Sequence, residues 1–259
     1  MKLQILIATL GAGVLLHAAS PAETDALREL YNQTGGSHWT HSENWLSGDP
    51  CAYGNEWYGV TCDFYGNVTE LDLHGNNLAG TLPNELGNLT NLVTLYLDQN
   101  HLEGTIPATI GNLGDNLEEL LLGHNWLTGS IPSQIGNLRY LTDLELNDNR
   151  LSGDIPAELL HLNDLETLWL FNNCNLQTND PDLIDMIDDV ARQDGGYQRI
   201  LDTNGNCAGT VSPPPGGSGP SASSVTVPTL SEWGRIVLAA NFLFLSSMVL
   251  GRRRKTSLR

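Results

Sequence analysis

Between Lys2 and Lys255 the chain contains no lysine, and arginine is nearly as scarce: 12 basic residues stand against 30 acidic ones in 259, a formal net charge of −18. Residues 23–226 hold five arginines against 29 carboxylates, a net of −24. A body this acidic has nothing with which to neutralise phosphates, which excludes nucleic acid and anionic lipid as its partners. Reaction motifs are missing too: there is no G-x-S-x-G, no H-E-x-x-H and no phosphate-binding glycine loop. Cysteine is limited to Cys51, Cys62, Cys174 and Cys207, none spaced as a C-x-x-C redox pair. The turn Asp202–Asn206 lacks the later glutamate that a calcium loop needs. His74 and His124 lie two repeat units apart, roughly 10 Å at about 4.8 Å per strand, too far to share an ion. No metal and no cofactor are therefore expected.

Long apolar runs occur only at the two ends. Residues 1–22 open with Lys2, run through Leu3 to Leu16 and reach Ser20-Pro21-Ala22 ahead of Glu23, the layout of a secretory signal peptide cut after Ala22. Export implies an oxidising compartment, with which an even cysteine count agrees. At the other end, residues 209–226 form a Pro/Gly/Ser linker and Ile236 to Leu250 an apolar helix of about 22 Å, followed by Arg252 to Lys255. That is short of a bilayer core of about 30 Å, but flanking Trp233, Arg235 and the basic cluster extend its reach. Pro228, Thr229, Leu230, Trp233 and Gly234 in the string before this helix make residues 227–259 resemble the IPTL-type C-terminal sorting signal of Gram-negative bacteria. The resemblance implies a surface protein held transiently in the inner membrane and cut near the motif by an exosortase-like protease, with a plain membrane anchor as the alternative.

The middle of the chain is periodic. Units begin at Val68, Leu92, Leu117, Leu141 and Leu165, spaced 24, 25, 24 and 24 residues apart, and each repeats L-x-x-L-x-L-x-x-N-x-L. This predicts an α/β repeat solenoid over 68–179, in which one short strand per turn stacks into a parallel sheet over a leucine core. Asn76, Asn100, Asn125, Asn149 and Asn173 form a ladder whose buried amides satisfy backbone groups of adjacent turns. Each of the first four units then reads G-x-(L/I)-P, from Gly80 to Pro83 through Gly153 to Pro156. With the I-G-N-L strings at Ile110 and Ile135, this resembles the plant-type leucine-rich repeat, also found in bacteria. The resemblance implies a second small sheet on the flank and a main sheet used for ligands.

A solenoid needs closed ends. Residues 23–67 form the N-terminal cap, with Ala26, Leu27, Leu30 and Tyr31 on one helical stripe and Trp39, Trp45 and Trp57 as core. Trp57 to Cys62 resembles the cap of plant-type repeats. A Cys51–Cys62 disulfide would close a short loop, with Cys174 and Cys207 as the second candidate pair, although four cysteines allow three connectivities. Residues 180–208 form the C-terminal cap, whose helix over 181–192 starts at Asp180-Pro181-Asp182 and turns Leu183, Ile184, Ile187 and Val190 inward.

The repeat phase also enumerates the concave sheet face. Its candidate ligand-binding residues are Glu70, Asp72, Tyr96, Asp98, Glu118, Glu119, Asp143, Glu145, Trp169 and Phe171, and neighbouring positions add Asp148 and Glu166. Nine carboxylates share this face with no Lys or Arg. Asp143 and Glu145 would project to one side as a glycosidase pair does, but an open sheet offers nothing to desolvate either one, so no catalytic residue is expected. The expected function is an exported, non-enzymatic envelope or surface protein that binds a cationic protein or peptide. Its alternatives are a secreted-enzyme inhibitor and a membrane-anchored receptor-like protein.

Overall fold

The computed structural model describes residues 18–173 and 175–193. The leader residues 1–17, Cys174 and Cys207, the Asp202–Asn206 turn, the linker at 209–226, and the sorting motif and apolar helix within 227–259 lie outside the described residues. Among the described residues, no helix is long and apolar enough to cross a membrane.

The chain enters through helix α1 (Pro21–Gln33), which Ser20 caps in a reciprocal box: the Ser20 hydroxyl accepts from the Glu23 N–H and the Glu23 carboxylate from the Ser20 N–H. The second oxygen of buried Glu23 accepts from Val68 N–H at 3.0 Å, tying the helix to the first repeat. Ser20 to Ala22 are thus the helix start, and the leader boundary read after Ala22 falls inside it. Ala26, Leu27 and Leu30 are fully buried.

Among the described residues eleven short strands follow: β1 (Val60–Cys62), β2 (Val68–Asp72), β3 (Ala79–Thr81), β4 (Thr94–Tyr96), β5 (His101–Thr105) and β6 (Glu119–Leu121). Then come β7 (Trp126–Gly129), β8 (Asp143–Glu145), β9 (Arg150–Asp154), β10 (Thr167–Trp169) and β11 (Asn175–Gln177), before helix α2 (Pro181–Gln193). They form two sheets, β1-β2-β4-β6-β8-β10 and β11-β9-β7-β5-β3, the second being the flank sheet that the repeat type implies. All pairings are parallel except β1 with β2. Strands after the first start two residues later than the repeat phase suggests. Leu92 and Leu141 still belong to the preceding turn, their N–H groups donating to the Leu89 and Leu138 carbonyls.

Leu71, Leu95, Leu120 and Leu144 are fully buried and register with one another, so the core is a stack of leucines. The asparagine ladder behaves as its chemistry requires. Asn125 Oδ1 accepts from Leu102 N–H at 2.9 Å while its Nδ2 donates to the carbonyls of Leu97, Leu122 and Gly123, and Asn100, Asn149 and Asn173 repeat the pattern one unit away. After each proline the chain makes a 3-10 turn. The fourth residues of the first three turns, Gly87, Gly111 and Gly136, lie so close to the next unit that a Cβ would meet its backbone carbonyl (Thr109, Gln134, Glu158) at 2.3–2.4 Å. In the last turn (157–161) that residue is Leu160, and α2, not another repeat, packs there.

In the cap, Trp39, Trp45 and Trp57 are buried, and each indole N–H donates to a backbone carbonyl, of Thr34, Tyr58 and Ser47 respectively. Cys51 and Cys62 are disulfide-bonded across a separation of 11 residues. A loop of this length is worth about 3 kcal/mol on chain-entropy grounds. Reduction is expected to lower the thermal midpoint, and a Cys51→Ser/Cys62→Ser variant should already start from the lower value. In α2, Leu183, Ile187 and Val190 are buried, whereas Ile184 is 37% exposed and leaves the apolar face assigned to it, because it projects from the rim of the stripe.

Candidate functional site

Strand register resolves the concave face into rows. The first is Glu70, Thr94, Glu119, Asp143 and Thr167, and the second Asp72, Tyr96, Leu121, Glu145 and Trp169. Two residues further on, alternation puts His74, Asp98, Gly123, Asn147 and Phe171 in a third row, beyond the fully buried Leu73, Leu97, Leu122, Leu146 and Leu170. Six of the nine carboxylates expected on this face occupy the rows: Glu70, Asp72, Asp98, Glu119, Asp143 and Glu145.

The other three sit at its margins. Glu118 and Glu166 immediately precede their strands, where alternation has not begun. Asp148 has φ of 53°, as do Gln99, His124 and Asn172 within a few degrees, so a left-handed residue ends the alternation in each unit just before the ladder asparagine. Trp169 and Phe171 are half-buried and tilted against each other with ring centroids 5.9 Å apart.

Cross-strand pairs join the rows. The Tyr96 hydroxyl donates to the Glu119 carboxylate. Burial, reinforced by Glu119, pushes the Tyr96 hydroxyl far above the usual tyrosine range, so it stays a donor at every physiological pH. His74 is not simply solvated: its Nδ1 lies 2.7 Å from Asp98 Oδ2, and Asp98 is only 7% exposed. Burial raises the Asp98 carboxyl above the usual aspartate range and Asp72 adds to the rise, while the His74 pair pulls it down only in part. Neither the His74–Asp98 pair nor the Tyr96–Glu119 bond is visible in one unit's sequence, since each needs the register between two.

The raised Asp98 value fixes the sign of a pH effect. With the folded value above the unfolded one, ionised Asp98 weakens the fold above its folded value, and the penalty vanishes below the ordinary 3.8. Asp98→Asn, which removes the buried charge and keeps its shape, should therefore gain stability over wild type near neutrality and lose that advantage in acid. Paired urea titrations at the two pH values check this; an advantage that persists below 3.8 would contradict it.

Short parallel strands on a leucine core, a buried asparagine ladder, a flank sheet and capped ends define a leucine-rich-repeat solenoid. Two family models agree: the leucine-rich repeat N-terminal domain matches residues 20–63, and the leucine-rich repeat matches 67–89, 91–113, 116–138 and 140–162. A protein of Arabidopsis thaliana named as a probable leucine-rich repeat receptor-like protein kinase is 44% identical over 72 residues, 28% of this chain and 7% of that protein. Among solved structures, the ectodomain of the Arabidopsis receptor kinase SOBIR1 matches with a TM-score of 0.54 and 28% identity, covering 65% of this chain and 88% of that one. The PEPR1–AtPEP1 structure matches with a TM-score of 0.50 and 29% identity over 58% of this chain and 21% of that one.

These findings overturn one expectation. The relatives are plant receptor-like kinases and ectodomains and point to a plant protein, which corrects the Gram-negative bacterial reading drawn from residues 227–259. That reading rested on a short C-terminal string, while the likeness to plant proteins is carried by the repeats. The ectodomain repeats that match are non-catalytic binding regions, and the non-enzymatic expectation stands on that ground. The same likeness is consistent with an exported or cell-surface chain.

Proposed function

We propose that this chain is a surface-exposed, non-enzymatic binding module that holds a cationic protein or peptide on its concave sheet. One observation carries the reading: six carboxylates stand in three adjoining rows, on strands about 4.8 Å apart, with no lysine or arginine among them. Such crowding repels itself in the free protein, and a positive partner relieves it while the summed field speeds approach. The Trp169–Phe171 pair at the C-terminal end of the rows supplies the apolar anchor, because exposed charge pairs alone contribute about 0–1 kcal/mol each. Support comes also from the likeness to PEPR1, solved with AtPEP1.

The test follows from screening. The Debye length shrinks from about 10 Å at 0.1 M salt to about 3 Å at 1 M. For a partner isolated by affinity capture on the full chain, the association rate is expected to fall steeply over that range. It should fall again in a Glu70→Gln/Glu119→Gln/Asp143→Asn/Glu145→Gln variant, while Trp169→Ala mainly speeds dissociation. An association rate indifferent to salt and to the quadruple variant would move the binding surface elsewhere.

A further inference from the structure

The flank sheet carries an arginine without a carboxylate. Residues 68–179 hold two arginines, Arg139 and Arg150, against fifteen carboxylates, yet every ion pair among the described residues belongs to a histidine. Arg150, exposed at the start of β9, instead places its guanidinium over the indole of Trp126, 5.7 Å from the ring centroid. Trp126 opens β7 and is 45% exposed, and His101, at the start of β5, packs edge-on against it with ring centroids 4.9 Å apart. Three side chains from three successive units thus form one stack on the surface. None of them makes a side-chain hydrogen bond among the described residues, whereas the indoles of Trp39, Trp45 and Trp57 all do. Glu103, in register with Trp126, forms no ion pair with Arg150 or His101, so the guanidinium is not already engaged.

Independently of the concave sheet, we propose that this stack is a second docking surface. It receives a carboxylate of a partner protein, the side chain of a glutamate or aspartate with an apolar residue beside it. A guanidinium is a rigid fork of five N–H donors matched to the two oxygens of a carboxylate, and contact with an aromatic ring holds the fork while using none of those donors. The Trp126 indole N–H is a further donor in the same stack, and the exposed part of its ring accommodates the apolar neighbour. Charge decides the kind of partner: the concave rows present six carboxylates and no arginine, while this surface presents side-chain donors that lack an acceptor. A uronic acid shares the carboxylate, but a sugar needs an open ring face to stack on, and Arg150 already lies over the indole with His101 against it.

The test titrates the full 15N-labelled chain with the capped peptide Ac-Ala-Glu-Leu-Ala-NH2 and with its glutamine analogue. The glutamate peptide is expected to give saturable shifts at the Trp126 indole N–H and the Arg150 Nε–H, and the glutamine peptide to bind about fivefold more weakly. Arg150→Gln should weaken binding by about the same factor, and Arg150→Lys, which keeps the charge and loses the fork, should not restore it. Trp126→Phe, which keeps a ring and loses the indole N–H, should weaken it a few-fold. Both residues are exposed, so these variants keep the fold. The Glu70→Gln/Glu119→Gln/Asp143→Asn/Glu145→Gln variant, which disables the concave face, should bind the glutamate peptide as wild type does or slightly more tightly, and so keeps the two surfaces apart. Equal affinity for the two peptides, binding unchanged in Arg150→Gln, or no saturable shift at the Trp126 indole would overturn the site. Tighter binding of trigalacturonate than of the glutamate peptide, with the same dependence on Arg150, would overturn the protein partner in favour of an acidic polysaccharide.

Discussion

Leu120→Ala is expected to destabilise the protein by about 2–5 kcal/mol, the range for truncating a fully buried leucine whose surroundings relax only in part. Leu120 is 0% exposed and registers with Leu95 on one side and Leu144 on the other, so the cavity opens in the middle of the leucine stack. Neither neighbour is free to close it, since each is held in its own strand pairing. In a solenoid, units contact only their neighbours, and a weak central interface can uncouple the two halves. Urea denaturation should therefore show a lower midpoint and also a broadened or two-step transition. A midpoint equal to wild type would mean that Leu120 does not face the core.

The second large effect belongs to Asn125→Ala. It strands the Leu102 N–H in a residue only 4% exposed and takes one donor from the carbonyls of Leu97, Leu122 and Gly123, which keep those of Asn100, Asn149 and Gln99 respectively. An unmatched buried donor costs about 1–3 kcal/mol, and a loss of about that size is expected. Asn125→Asp separates the contributions. It keeps the acceptor for Leu102 and loses the three donations, and it places a carboxylate against three carbonyl oxygens. Hydrogen exchange at the Leu102 amide should rise strongly in the alanine variant and less in the aspartate variant; protection unchanged in both would remove the ladder from the list of stabilising features.

These two residues also mark how far the sequence could be read alone. The leucine spacing and the asparagine ladder repeat every 24 or 25 residues, so their roles follow from phase, and the buried tryptophans and the helix start at Asp180 follow from local chemistry, whereas the helix start at Ser20 was read as the end of a leader. The sheet face was only partly legible. Leu92 and Leu141 look like strand residues but close a turn, and Gln99, His124, Asp148 and Asn172 look like face residues but adopt positive φ. Neither distinction is encoded in residue type. The His74–Asp98 pair and the Trp126–Arg150 contact depend on which residues of different units stand side by side, a tertiary fact. One signal was available: Gly123 is the single glycine at a position where every other unit carries a side chain, and that exception can be found from the repeat phase.

The small residues at the outer turns govern how such an array grows. Gly87, Gly111 and Gly136 each admit the backbone of the following unit, and Leu160 at the equivalent place does not. A duplicated unit inserted among the first four finds a glycine on its N-terminal side and offers one to its C-terminal side, so the arc can lengthen from within. A fifth unit with an outer turn of its own would have to bring its carbonyl to where the Leu160 side chain stands. Growth of the outer turns toward the C-terminus is thus limited at one residue, Leu160, and with it the number of strands the sheet face can gain.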